Sequence, residues 1–121
     1  MKKILIADDV DSVLEITSLM LGHHFKDYEI ETFEDGSSLD GRLEKDVSDV
    51  SLIVTDNSMP GMKGSEIISK YAKKLKIPFI LAYADDESIG KKAVEDGAYA
   101  FIIKPFYMPD LISLAEKAMN R

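Results

Sequence analysis

Residues 4–9 read ILIADD and residues 52–61 read LIVTDNSMPG, and these two stretches decide the fold. Each starts as an unbroken apolar run, Ile4-Leu5-Ile6-Ala7 and Leu52-Ile53-Val54-Thr55, and each stops on acid: Asp8 and Asp9, then Asp56. Runs that are apolar throughout suit strands buried on both faces, as in parallel sheets. Neighbouring strands of that kind bring the three carboxylates together at one sheet edge. Two like charges about 4 Å apart repel by roughly 4 kcal/mol at an effective dielectric near 20, so the edge needs compensating charge. A third run, FIIKPF at residues 101–106, contains Lys104, which supplies only one positive charge. The remainder points to a divalent cation. Mg²⁺ fits best, as a hard ion held by one or two carboxylates plus waters and phosphate oxygens, with Mn²⁺ as a substitute. Taken singly, Asp8-Asp9 reads as a turn or helix-capping pair, Asp56 as a loop start and Lys104 as a solvated strand end. Their joint placement carries the metal and phosphate reading.

Outward from these runs, apolar and amphipathic stretches alternate five times. Strands are predicted at residues 2–8, 28–33, 51–56, 78–84 and 99–103. Helices are predicted from residue 11, with Ile16, Leu19 and Met20 on one face, and at 37–46, 64–75, 85–96 and 109–120. Asp11 or Ser12 would cap the first helix, and Gly97 would close the fourth in a left-handed conformation. His23-His24 fall near the negative end of the first helix, where cationic groups are favoured. The alternation at residues 28–33 marks an outer strand. Strands alternating with helices imply a doubly wound α/β fold with a parallel sheet covered on both faces. In such folds ligands bind at the carboxyl ends of the strands, where strand order reverses. Asp8, Asp9, Asp56 and Lys104 all fall at such ends.

Composition narrows the class. The 121 residues, 45% hydrophobic, suit one domain over residues 1–121 with a real core. There is no cysteine, hence no disulfide framework and no thiolate metal site. The net charge of −7 argues against a nucleic-acid surface, which needs a basic stripe. No apolar stretch approaches the roughly 20 residues of a membrane span, and residues 1–3 lead straight into a strand rather than a signal-peptide core. A cytoplasmic location is the expectation.

Asp8-Asp9 after the first strand, Asp56 followed by Met59-Pro60-Gly61-Met62-Lys63-Gly64 after the third, and Lys104-Pro105-Phe106 after the fifth resemble the receiver domain of two-component response regulators. The resemblance spans the whole chain, as in a stand-alone receiver with no output domain. It implies the flavodoxin-like sheet order 2-1-3-4-5. It also implies that Asp56 is the phosphoacceptor, taking a phosphoryl group from a phosphohistidine of a sensor histidine kinase or phosphotransfer protein. Asp9 and Asp56 would ligate Mg²⁺ with the backbone carbonyl of Ser58, and Asp8 would act through the second shell. Lys104 would contact the phosphoryl group, and Pro105 would follow a cis peptide bond. Such a protein is a signalling switch rather than an enzyme, with intrinsic phosphotransfer and autodephosphorylation only. Its downstream protein partner would dock on the fourth helix, fifth strand and fifth helix, where Lys91, Lys92, Tyr99, Phe101 and Tyr107 are candidates.

The chain departs from the family pattern at the end of the fourth strand. Receivers place a Ser or Thr there, then a small residue, and that hydroxyl reports phosphorylation. Here Tyr83 occupies the position, followed by Ala84; counted back from Gly97, the position falls on Ala82 instead. Neither supplies a Ser or Thr hydroxyl. Phe101 matches the aromatic that follows the hydroxyl's movement. Tyr83, Ala84 and Phe101 therefore suggest an altered switch; the alternatives are ordinary drift within a working receiver and a pseudo-receiver that binds partners independently of phosphorylation. Lys63, where an acid is common, reads as an exposed loop lysine. An aspartyl phosphatase is disfavoured, because Ser58 stands where its second Asp is needed.

Overall fold

In a computed structural model that describes residues 1–83 and 86–120, apart from the side chain of Tyr83, five strands alternate with five helices. The elements run β1 (Lys2–Ala7), α1 (Asp11–His24), β2 (Tyr28–Phe33), α2 (Gly36–Leu43), β3 (Val50–Asp56), α3 (Gly64–Leu75), β4 (Phe79–Tyr83), α4 (Glu87–Glu95), β5 (Ala100–Ile103) and α5 (Met108–Met119). The strands form one parallel sheet in the order β2-β1-β3-β4-β5. The predicted order and class therefore hold. The strand order reverses at β1, between β2 and β3.

Side chains alternate across each strand and build two separate cores. Leu5, Ile53, Phe79 and Leu81 face α2, α3 and α4, packing on Leu39, Ile67, Ile68 and Ala93. Ile4, Ile6, Leu52, Val54 and Ile80 face α1 and α5, packing on Leu14, Leu21, Leu111 and Ala115. This two-sided burial is why β1, β3 and β4 read as continuous apolar runs. Each fully buried Leu, Ile or Phe contributes roughly 1.5–3 kcal/mol. β2 lies at an edge, and its residues are only half-buried or exposed, as its alternating sequence predicts.

Several boundaries differ from the sequence reading. The N-cap of α1 is Val10, not Asp11 or Ser12, and no side chain caps it. Asp8 Oδ1 instead accepts from the Val10 N–H at 3.0 Å, so the acid at the strand end serves the turn into the helix. α2 ends at Leu43 instead of residue 46; Arg42, in its last turn, donates from Nη1 to the Asp46 carbonyl at 2.9 Å as the chain turns toward β3. α4 is capped by Asp86, whose carboxylate accepts from Ser88 N–H at 2.9 Å. Gly97 follows α4 with φ +112°, as the left-handed closure requires. Gly64 opens α3 against the Asp56 carbonyl so closely that a Cβ there would collide with backbone. That approach sets α3 directly behind the end of β3.

Candidate functional site

The carboxyl ends of β1, β3 and β5 converge on one acidic pocket. β1 delivers Asp8, whose N–H donates to the Phe33 carbonyl at 3.1 Å and fixes the turn. Asp8 is buried, and its Oδ2 lies 2.8 Å from Lys104 Nζ. β3 delivers Asp56, also buried, whose Oδ1 accepts from the Asn57 N–H at 2.8 Å and lies 3.3 Å from the same ammonium. Asp9 is exposed beside them. One carboxylate oxygen from each of Asp8, Asp9 and Asp56 can be chosen so that all three lie within 4.8 Å of one another. Three carboxylates against one ammonium leave two negative charges unmatched within the cluster.

The electrostatics follow from burial and charge. Burial pushes the Asp56 carboxyl above its ordinary value; Lys104 opposes this and the Asp8 charge adds to it. Burial pulls the Lys104 ammonium down, but its hydrogen bond to Asp8 and the charges of Asp56 and Asp8 together leave it raised. The lysine is thus firmly charged, and Asp56 is held short of full stabilisation as an anion. A hard divalent cation would complete that balance, and an all-oxygen donor set of this size suits Mg²⁺.

Beneath the acids lies an apolar floor that includes Ile6, Val54, Ala82, Phe106 and Leu111. Ala82 pairs in register with Asp56 and is buried; its methyl group offers no hydrogen bond to the pocket. Tyr83 is the last residue of β4, opposite Ile103; its side chain and Ala84 lie outside the described residues. Ser58 is exposed just past Asp56, and the Lys104–Pro105 peptide bond is cis. Phe101 is half-buried against the core under α4, with its ring on Gly90.

Other singled-out residues sit apart from the pocket. Lys91 and Lys92 are exposed on α4, and Lys92 pairs with Asp96 at 2.9 Å. Tyr107 is 80% exposed, whereas Tyr99 is half-buried against the core. His24 Nε2 lies 3.5 Å from Glu116 on α5. Lys63 is exposed and is the N-cap of α3. One residue of the site was not singled out from sequence. Asn57, next to Asp56, is 3% exposed, and its side-chain oxygen accepts from the Ser65 N–H at 2.8 Å. The available signal was a polar residue directly after a buried strand, seven positions before a helix whose own cap position is lysine.

A parallel 2-1-3-4-5 sheet with acids at the ends of β1 and β3 and a lysine after β5 defines a doubly wound α/β domain of flavodoxin-like order. The family profile of the response regulator receiver domain matches residues 4–116, and the chain belongs to that family. Among relatives, it is 31% identical to the response regulator ArlR of Staphylococcus saprophyticus, over 100% of this chain and 54% of that protein. It is 28% identical to the two-component response regulator-like PRR37 of Oryza sativa, over 98% of this chain and 16% of that protein. The chain thus spans about half or less of the length of these relatives. A receiver domain from Clostridium thermocellum has the same fold, with a TM-score of 0.88 at 23% identity, covering 100% of this chain and 96% of the other. Receiver domains bind Mg²⁺ at an acidic site and interact with histidine kinases or phosphotransfer proteins. Among the described residues, no helix is long and apolar enough to cross a membrane.

Proposed function

We propose that this receiver accepts a phosphoryl group on Asp56 and signals through protein–protein contacts. The observation that carries the reading is Lys104 Nζ set between Asp8 and Asp56, with Asp9 beside them and two negative charges unmatched. Asp9 and Asp56, with the Ser58 carbonyl, would hold Mg²⁺, and Asp8 would act through the second shell. What Mg²⁺ supplies when bound is positive charge beside the oxygens of the transferring phosphoryl group. A carboxylate oxygen of Asp56 attacks phosphorus, the P–N bond of the donor phosphohistidine breaks, and its electron pair returns to the imidazole. Lys104 leaves its pairing with Asp56 and takes up a phosphoryl oxygen. Asp8 keeps the lysine anchored throughout. The apolar floor under Asp56 lowers the local dielectric and strengthens each of these contacts.

Intact-protein mass spectrometry after incubation with acetyl phosphate and Mg²⁺ tests this. One phosphoryl adduct is expected on the natural protein and none on D56N. No adduct on the natural protein under forcing conditions overturns the reading.

A second reading rests on the end of β4. Ala82 and Tyr83 lack the short hydroxyl that would bond the phosphoryl group, and a hydrogen bond to a charged group is worth roughly 1.5–3 kcal/mol. In this reading phosphorylation proceeds but changes shape weakly, or the domain binds partners through α4, β5 and α5 regardless of it. Lys91, Lys92, Tyr99, Phe101 and Tyr107 would form that face. Comparing amide chemical-shift changes on phosphorylation in the natural protein and in Y83T separates the two. Larger changes across α4 and β5 in Y83T favour a weakened switch; equal changes argue against it.

A further inference from the structure

The start of α3 is capped by a residue that belongs to the site. An α-helix leaves its first N–H groups without intrahelical partners, and the N-cap side chain normally takes one at the second or third position. In α3 the N-cap is Lys63, whose ammonium has donors only and cannot accept. Asn57 takes its place from eight residues upstream of Ser65. Its carbonyl accepts from the Gly64 N–H at 3.0 Å, and its side-chain oxygen accepts from the Ser65 N–H at 2.8 Å. The third N–H, of Glu66, goes to the Lys63 carbonyl at 3.0 Å, and the Glu66 carboxylate accepts from the Lys63 N–H at 2.9 Å. Two of the first three donors of the helix therefore end on Asn57.

The same residue faces Asp56. Its own N–H donates to Asp56 Oδ1 at 2.8 Å, the oxygen that also faces Lys104. With its side chain and carbonyl both engaged by α3, the peptide between Asp56 and Asn57 cannot rotate without breaking the cap. Gly64, in contact with the Asp56 carbonyl, closes the arrangement from behind. Both donors act on Oδ1, so the carboxylate plane is set by α3 on one side and by the lysine on the other.

We propose that Asn57 is a positioning residue for Asp56: by replacing the cap that Lys63 cannot provide, it fixes the N–H that orients the acceptor carboxylate. The role in phosphoryl uptake rests on the reading of Asp56 as phosphoacceptor. Misplacing a reacting group by about 1 Å can cost on the order of a hundredfold in rate, so a partial loss of orientation is readable.

The test separates a cap from a positioning role with four proteins: the natural chain, N57A, K63S and N57A/K63S. K63S puts a hydroxyl at the N-cap of α3, which supplies the helix with a local acceptor and leaves Asp56 alone. N57A is expected to lower the urea midpoint, and N57A/K63S to recover most of it. The rate of adduct formation with acetyl phosphate and Mg²⁺ is expected to fall about tenfold in N57A and to stay low in N57A/K63S. Recovery of the rate together with the midpoint, or a natural rate in N57A, overturns the proposal. A readout without phosphoryl chemistry runs beside it. Amide hydrogen exchange at position 57 is expected to be about tenfold faster in N57A/K63S than in K63S; equal protection overturns the proposal. If the natural protein forms no adduct, the phosphoacceptor reading fails, and amide exchange still decides whether Asn57 orients the carboxylate.

Discussion

Lys104 Nζ lies 2.8 Å from Asp8 Oδ2 and 3.3 Å from Asp56 Oδ1, so one ammonium ties together the ends of β1, β3 and β5. The two acids are almost fully buried and the lysine mostly so. Removing the lysine leaves two carboxylates facing each other over an apolar floor. Breaking a buried pair costs several kcal/mol, and the residual solvent access here reduces that. K104M is expected to lower stability in metal-free buffer by about 2 kcal/mol, read from urea unfolding. Added Mg²⁺ should recover more stability in K104M than in the natural protein, and equal recovery would contradict the charge balance described for the pocket.

The pH dependence of stability has a definite sign. The folded-state pKa of Asp56 is raised above its ordinary 3.8, first by burial and then by Asp8, against the pull of Lys104. A carboxyl whose folded pKa is raised binds its proton more tightly in the folded state. Its penalty is fully present above the folded value and is relieved as pH falls through that value toward the unfolded one. Asp35, Asp40, Asp46 and Asp86 run the other way. Hydrogen bonds from Ser38, Lys70, Ser48 and Ser88 respectively lower them, so their contribution is lost as pH falls through their folded values. Those four are common to the natural protein and D56N and cancel in the difference. In metal-free buffer D56N should be the more stable at pH 7, by on the order of 1 kcal/mol, and the gap should narrow as pH falls through the raised Asp56 value toward the ordinary 3.8. A gap constant across that window would show that Asp56 is not strained as an anion.

The legible parts of the fold were those set by local sequence. Ile4 to Ala7 and Leu52 to Thr55 are apolar without interruption because both sheet faces are covered, and the acids that end them mark the pocket. The cap of α1 was not legible. Asp11 and Ser12 are good capping residues, but Asp8 already holds the Val10 N–H, and the helix starts without a side-chain cap. The role of Asn57 was hidden for a similar reason: its partner is Ser65, across a turn, and only tertiary placement reveals it. Likewise nothing local announces that Tyr71, an apolar-face residue of α3, donates its hydroxyl to Asp40 of α2 at 2.6 Å.

That contact gives a prediction away from the pocket. The Tyr71 ring is buried and its hydroxyl pKa is pushed up to about 12, by burial first and then by the Asp40 carboxylate. Y71F removes a hydrogen bond to a charged acceptor that joins α2 to α3. The expected loss is about 1–2 kcal/mol in urea unfolding, with the rate of adduct formation from acetyl phosphate unchanged. A stability equal to that of the natural protein would mean that Lys70, 2.8 Å from the same carboxylate, suffices alone.

Asp9 differs from the other two acids because it is exposed and, among the described residues, makes no hydrogen bond or ion pair. Its carboxylate costs the fold little to lose. D9A should therefore stay within about 0.5 kcal/mol of the natural stability. The same change removes one of three converging carboxylates and should weaken Mg²⁺ binding at least about tenfold, a loss of roughly 1.4 kcal/mol, measured by calorimetric titration. Unchanged affinity in D9A would remove Asp9 from the metal site.

Gly90 sets how closely α4 lies on β5. It is buried in the helix, and a Cβ at that position would land on the Phe101 ring, within 2.6 Å of Cε2. Two effects oppose one another in G90A. Alanine is the better helix former by about 0.8–1.0 kcal/mol, while overpacking a fitted contact costs typically about 1–3 kcal/mol. The clash involves the near edge of an aromatic ring held by the core, so overpacking should win and G90A should lose about 1–2 kcal/mol. The cause can be isolated by removing the ring. In an F101A background no ring remains to meet the new methyl, and only the helix preference is left. The same substitution there should be neutral or stabilising, giving a coupling of at least about 1 kcal/mol between the two positions in a double-mutant cycle read by urea unfolding. Additive effects would mean that α4 shifts away from β5 as a unit, and that the Phe101 ring does not set the spacing.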